Sequence, residues 1–228
     1  MLDNINRRVI RCTRCPELRT YCAGIARDKK LAFRDWHYWG KPVPSFGDPN
    51  AQVLLVGLAP GAHGSNRTGR PFTGDGSGSF LYPALYRAGF ANQPSAISRG
   101  DGLLLRDCFI TAAVRCAPPA NKPTPAQLRN CAPYLTEEFE ALGQVRVIVA
   151  LGAVAQRAVL DMLRDLSFEI EPRRPTFGHG AEATATGSGR SVTVVSSFHP
   201  SRQNTNTGKL TVQMFDRIFE RAKALLAC

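Results

Sequence analysis

The stretch that most constrains the fold is Val53-Leu54-Leu55-Val56-Gly57, a short apolar run. It breaks at once into Leu58-Ala59-Pro60-Gly61-Ala62-His63-Gly64 and continues through Asn66 and Arg67 to Gly69-Arg70-Pro71-Phe72-Thr73-Gly74-Asp75. Such a run bounded by glycine and proline reads as a buried strand that opens into a loop. In open α/β sheets, ligands sit at that carboxyl edge. The glycines let backbone approach a ligand closely, and Asn66, Arg67 and Arg70 are potential donors to phosphate. A loop of this length and polarity is uncommon unless functional. The familiar phosphate loops do not fit it. No Gly-Lys-Ser/Thr ends it, and Gly57 to Gly61 lacks the G-x-G-x-x-G spacing.

Three more apolar runs follow: Phe109–Val114, Val145–Leu151 and Ser191–Phe198. Between them lie helical signals. Ser77 or Ser79 caps a helix through Tyr86 that Gly89 stops, and Thr124-Pro125-Ala126-Gln127 is a capping box with proline at the first helical position, starting a helix to about Leu142. A helix over Ala153–Leu163 follows the third run. At the end, Phe215, Ile218, Phe219, Ala222, Leu225 and Leu226 share one face of an amphipathic helix. Strands alternating with helices make an α/β fold: three α/β/α layers around a central four-stranded parallel sheet. Gly57, Val114, Gly152 and Phe198 then emerge at one rim, where the loops after them meet. Residues 1–50 read as a basic, irregular segment with a short helix over Asn4–Arg11, tethered to the main body, so that 1–228 forms one domain.

The balance of 29 Lys and Arg against 18 Asp and Glu, net +11, is the footprint of a polyanion binder, nucleic acid first. The N-terminus has no apolar core of a signal peptide and no run approaches a membrane span, so no membrane partner and a cytoplasmic location are expected. Seven cysteines without a secretory signal point to reduced thiols or a metal site. Cys12-x-x-Cys15 is a chelating pair, and Cys116 and Cys131 bracket the proline-rich loop as a second. Four thiolates suit zinc or an iron–sulfur cluster, and spacing does not choose between them. Cys108 reads as a small buried hydrophobe, while Cys22 and Cys228 have no evident role.

His199, between a strand and Pro200, sits at the rim, and Asp75 ends the glycine loop before a helix, where it caps or stabilises positive charge. His63 and His179 are weaker candidates. Together Gly57-Leu58-Ala59-Pro60-Gly61, Gly69-Arg70-Pro71-Phe72-Thr73-Gly74-Asp75, His199-Pro200-Ser201 and the four cysteines resemble the iron–sulfur uracil-DNA glycosylases of family 5, the type b enzymes. The resemblance runs from Cys12 to the last helix. It implies the glycosylase α/β/α fold, a 4Fe–4S cluster on Cys12, Cys15, Cys116 and Cys131, and double-stranded DNA containing uracil or other deaminated bases as partner. Family 4 relatives carry Glu where Leu58 stands and Asn where Ala112 stands, so water and base must be handled differently here.

On this reading Phe72 stacks on the flipped base, and the backbone of Gly61 and Ala62, with Asn121, reads its edge. Ala112 leaves room for hypoxanthine or xanthine. His199 donates to a carbonyl of the departing base while Asp75 stabilises the sugar cation or holds water. Asn66, Arg67 and Arg70, with Ser201, Arg202, Gln203 and Asn204, contact the DNA backbone, the last four also filling the gap left by the base. No lysine lies in the active-site segments apart from Lys122, which favours hydrolysis without strand cleavage. The expected protein is a monomeric, monofunctional DNA repair enzyme that joins the nucleoid when it acts on DNA. The rivals are a non-catalytic nucleic-acid module with a structural metal cluster, and a small-nucleotide hydrolase disfavoured by the missing phosphate-loop lysine.

Overall fold

The computed structural model describes residues 1–227, and Cys228 lies outside them. In chain order the elements are α1 (Leu2–Ile10), α2 (Pro16–Asp28), β1 (Phe46–Gly47), β2 (Val53–Gly57), α3 (Ser65–Thr68), α4 (Gly76–Arg87) and β3 (Cys108–Ala112). There follow α5 (Pro125–Ala141), β4 (Val147–Leu151), α6 (Ala153–Asp165), β5 (Glu169–Glu171), β6 (Glu182–Gly187), β7 (Arg190–Ser197), α7 (Arg202–Asn206) and α8 (Val212–Ala227).

The four expected parallel strands form the centre of the sheet in the order β3-β2-β4-β7, with helices crossing between them. The sheet is wider than the sequence indicates: seven strands, ordered β1-β3-β2-β4-β7-β6-β5, with antiparallel strands added at both edges. The expected four-stranded parallel centre is present, and the antiparallel edge strands make the whole a mixed sheet. β6 escapes detection because its alternation is carried by Ala183 and Ala185, too small to make a strong apolar signal, although both are buried.

Period-two alternation sorts the core into two layers. Val53 and Leu55 of β2 face α4 and α8, packing in one cluster with Leu81, Leu85, Phe215 and Phe219. Leu54 and Val56 face the other side with Leu135 and Phe139 of α5 and Val159 of α6. β2 and β3 pair with Gly57 opposite Ala112, and β4 and β7 with Leu151 opposite Ser197, which sets the rim level from which the site loops leave.

The capping box on α5 forms as expected, Thr124 accepting from Gln127 N and the Gln127 side chain accepting from Thr124 N. The cap of α4 is Asp75 rather than Ser77 or Ser79, its carboxylate accepting from Gly78 N at 3.0 Å. Residues 1–50 are more ordered than an irregular segment. α1 buries Ile5 and Val9 against Tyr134 of α5, α2 carries Leu18 and Cys22 into the thiol cluster, and Trp39 N and Gly40 N donate to the carbonyls of Arg67 and Asn66. No helix among the described residues is long and apolar enough to cross a membrane.

Candidate active site

At the end of β2 the backbone must pass beneath an aromatic ring. A Cβ on Gly57 would stand 2.8 Å from Phe72 Cζ, so only glycine leaves the Phe72 ring its place over the strand end. Phe72 itself has φ +50°, unusual for a bulky residue, and is held there by its neighbours. Tyr82 OH donates to Pro71 O at 2.8 Å, and Thr73 Oγ1 donates to the same carbonyl at 3.0 Å. Ala112 pairs with Gly57 and shares the strand face of Ile110, the face on which Phe72 packs.

β7 delivers His199 to the same place. Its ring centroid lies 6.0 Å from that of Phe72, the planes inclined at 32°, so the two rings form adjacent walls. Burial pushes the His199 imidazole down to about 4, which leaves it neutral at physiological pH. Its backbone is fixed from both sides. Asn204 Nδ2 donates to His199 O at 2.8 Å, while Phe198 N and Met214 O bracket the His179 ring, Phe198 N donating to Nδ1 at 3.2 Å and Nε2 donating to Met214 O. His179 is thus a brace for the strand end.

Asp75 closes the third side. A side chain on Gly64 would run into its carboxylate, and one on Gly61 would stand 3.1 Å from Oδ2. Burial raises the Asp75 carboxyl above its ordinary value, opposed by N–H groups of Gly78 and Ser77 and by the charges of Arg67 and Arg202. The N–H groups of Gly61 and Ala62, beside this carboxylate, donate to no group among the described residues. Phe72, His199, Asp75, Gly61, Ala62 and Ala112 therefore meet at one rim. Asn121 stands at an exposed turn with φ +56°, its side chain without a partner among the described residues. Ser201 caps α7, Arg202 packs over Gly76 beside Asp75, and Gln203 is exposed.

Three expected DNA contacts are corrected. Asn66 is 0%, Arg67 3% and Arg70 3% exposed, too little to meet a phosphate. Asn66 Nδ2 donates to Cys22 O and Ala62 O. Arg70 makes a two-pronged ion pair with Asp101 at 2.8 and 2.7 Å. The Arg67 guanidinium lies between the rings of Phe33 (3.9 Å) and Trp36 (4.0 Å) and donates to His63 O and Gly74 O. These three side chains hold the loop's shape, a role that composition alone does not reveal.

Beneath the loop, Cys15, Cys116 and Cys131 are buried in one cluster with Cys22, Val114 and Ala117, and Ala59 and Ala62 of the loop pack on it. Cys131 lies within electrostatic reach of Cys12, Cys15 and Cys116. Two nitrogens point at the sulfurs: Asn130 Nδ2 to Cys15 and Arg115 N to Cys131, each at 3.4 Å. No group of three or more His, Cys, Asp or Glu side chains is drawn together tightly enough to hold a single metal ion among the described residues. Cys22, without a role in the sequence, donates to Ala117 O and neighbours Cys116.

Residues 44–223 match the model of the uracil DNA glycosylase superfamily. The chain is 50% identical to a type-5 uracil-DNA glycosylase of Thermus thermophilus, over 94% of this chain and 93% of that one. It is 44% identical to a type-5 uracil-DNA glycosylase of Pyrobaculum aerophilum, over 99% and 94% respectively. A type-4 uracil-DNA glycosylase of Archaeoglobus fulgidus is more distant, 28% identical over 88% of this chain and 81% of its own.

Proposed function

The chain belongs to the type-5 uracil-DNA glycosylases of the uracil-DNA glycosylase superfamily and is a DNA glycosylase, and from that premise we propose that it removes uracil and other deaminated bases, hypoxanthine and xanthine among them, from double-stranded DNA by hydrolysis. The observation that carries this reading is the meeting of Phe72, neutral His199 and buried Asp75 around a loop with two free backbone N–H groups.

A base inside a duplex is out of reach, so it must leave the stack and find replacement contacts in the pocket. The Phe72 ring, held by Gly57, supplies a stacking surface, and the N–H groups of Gly61 and Ala62 supply donors for a carbonyl edge. Asn121 is the side chain free to complete that edge. Breaking the N-glycosidic bond leaves negative charge on the base and positive charge on the sugar, so pre-placed groups of opposite sign lower the barrier. Neutral His199 donates an N–H to the carbonyl oxygen on which charge grows. Asp75 faces the sugar as a carboxylate, stabilising the cation or orienting the water that ends as the new hydroxyl. Arg202 and Gln203, exposed beside this rim, together with Ser201 and Asn204, meet the backbone and the gap left by the base.

The thiols of Cys12, Cys15, Cys116 and Cys131 would hold a 4Fe–4S cluster. What supports this is the donor set: Cys15, Cys116 and Cys131 share one buried cluster, Cys12 in the neighbouring one lies within electrostatic reach of Cys131, and N–H groups of Asn130 and Arg115 point at sulfur, as they do around cluster thiolates. When bound, the cluster would tie these segments together, and no step of the hydrolysis involves it. The enzyme acts as a monomer on DNA at the nucleoid. The test is single-turnover incubation with uracil-containing duplex, then alkali. Breaks that appear only after alkali support a monofunctional glycosylase, and intact strands overturn it.

A further inference from the structure

Away from the rim, the end of α1 and the turn after it form a cleft of about 570 Å³ whose wall carries Arg7, Arg8, Arg11 and Arg14, with Tyr134 of α5 at its base. No acidic side chain lines it. Arg8 is paired with Glu137 outside the cleft, and Arg14 lies over the Tyr134 ring at 4.8 Å with a donor on Asn130 O. Arg7 and Arg11 are exposed, and their guanidinium groups have no partner among the described residues. Arg7 and Arg11 are four positions apart, and Arg8 and Arg11 three. On a helix such like-charged neighbours repel. The carbonyl end of α1 offsets part of this, since cations are favoured there. A fourth arginine, Arg14 in the turn after the helix, lines the same cleft and goes beyond what one short helix end requires. The concentration of charge fits an anion, and guanidinium forks match phosphate oxygens.

We propose that this arginine cleft is a second binding site for the sugar–phosphate backbone of the duplex, engaged by phosphates that flank the damaged nucleotide. The inference rests on the glycosylase reading for the identity of the polyanion. The location fits a flanking contact. The wall of the cleft runs on through Cys12, Thr13 and Arg14 to Cys15, and the cluster that buries Cys15 carries Ala59 and Ala62 of the rim loop, so the cleft flanks that loop. A duplex lying across the rim carries phosphates to both sides of the pocket, and a longer duplex carries them further. The cleft therefore lengthens the footprint without touching the reacting nucleotide.

The experiment compares wild type with Arg7→Glu/Arg11→Glu and with the milder Arg7→Gln/Arg11→Gln, which keeps the test open should the reversal disturb folding. A charge-matched control, Arg106→Glu/Lys223→Glu, alters exposed residues elsewhere on the surface. Affinity is read by fluorescence anisotropy on duplexes of about 8 and about 24 base pairs, each with one central uracil, across a salt series. Because two cations no longer neutralise phosphates, the glutamine variant should bind the long duplex about 10-fold more weakly near 0.1 M salt. The slope of log affinity against log salt should flatten by about 2. The short duplex should be bound as by wild type, and the single-turnover rate on saturating long duplex should be unchanged. Equal weakening on both duplexes, a weakening matched by the control pair, or none at all would overturn the proposal. Failure of the glycosylase reading is a different result, wild-type protein that leaves uracil in place.

Discussion

At the scale of single residues, the site depends on small side chains that make room for large ones. Gly57→Ala would put a methyl 2.8 Å from the Phe72 ring, which cannot swing aside freely because its backbone is already in the left-handed region. We expect a single-turnover rate about 10-fold or more lower with little change in melting temperature, as when a stacking surface is displaced. Asp75→Asn and His199→Ala should each cost about 10²-fold in that rate with DNA affinity little changed. The pH profile separates the two. Burial raises the Asp75 carboxyl, so its charge is lost on acidification at a pH above the ordinary aspartate value of about 3.9, and the rate should fall there. Asp75→Asn should remove that acid limb. His199, held down to about 4, stays neutral above that pH and adds no limb near pH 6.5. Ala112, on the face of Phe72, offers no amide to reject a larger base. Ala112→Asn should keep uracil excision and suppress hypoxanthine excision, and an unchanged ratio of the two rates would mean that position 112 does not face the base. What could not be read at this scale is instructive. Arg67 and Arg70 lie in a glycine-rich loop and look like phosphate ligands, yet both turn inward, because Phe33, Trp36 and Asp101 wait for them from segments distant in sequence.

Between elements, the most heavily tied point is the buried carboxylate of Glu138 on α5. It accepts from Ser45 before β1, from Thr111 of β3 at 2.6 Å, and from Arg115, whose guanidinium also reaches Ser45. The Asn6 side chain of α1 accepts from Ser45 N at 2.9 Å, which links α1 to this cluster through Ser45. Arg115 and Glu138 are both almost fully buried, and removing one partner strands the other. Glu138→Ala should cost about 3 kcal/mol or more in urea unfolding, and Arg115→Met with Glu138→Leu should recover much of that loss, since apolar replacement of a buried pair is often neutral. Strands β2, β3, β4 and β7 were legible as apolar runs, and α5 as a capping box. The edge strands β1, β5 and β6 were not, being two or three residues long or built on alanine. The meeting of loops at the rim followed from parallel topology alone. The brace that His179 gives to Phe198 did not, because it comes from a segment whose sequence carries no regular pattern.

Across the whole molecule, the thiol cluster is where the N-terminal segment, the proline-rich loop and the glycine-rich loop after β2 share one packed volume. Cys15 and Leu18 come from the first, Cys116 and Ala117 from the second, and Ala59 and Ala62 pack on them from the third. A group that ties the four thiols together would therefore act on the site from below, by fixing the loop backbone at Gly61 and Ala62, the donors proposed for the base edge. Loss of one ligand should loosen that backbone while leaving the sheet, whose cores lie elsewhere, intact. If the thiols hold a 4Fe–4S cluster, the wild type should be brown with about four irons per chain, and Cys116→Ser should lose colour and iron together. Melting temperature should drop, because binding a group to the folded state is itself folding free energy. Amide exchange should quicken first in the segments around residues 12–22, 58–64 and 115–123, with protection in β2 and β4 retained. Excision should fall more than DNA affinity, since Arg7, Arg202 and Gln203 are exposed outside the thiol cluster. If wild-type protein is colourless and carries zinc, the iron–sulfur reading is wrong. If exchange instead quickens uniformly through the sheet, the thiols support the fold at large rather than the loop that holds the base.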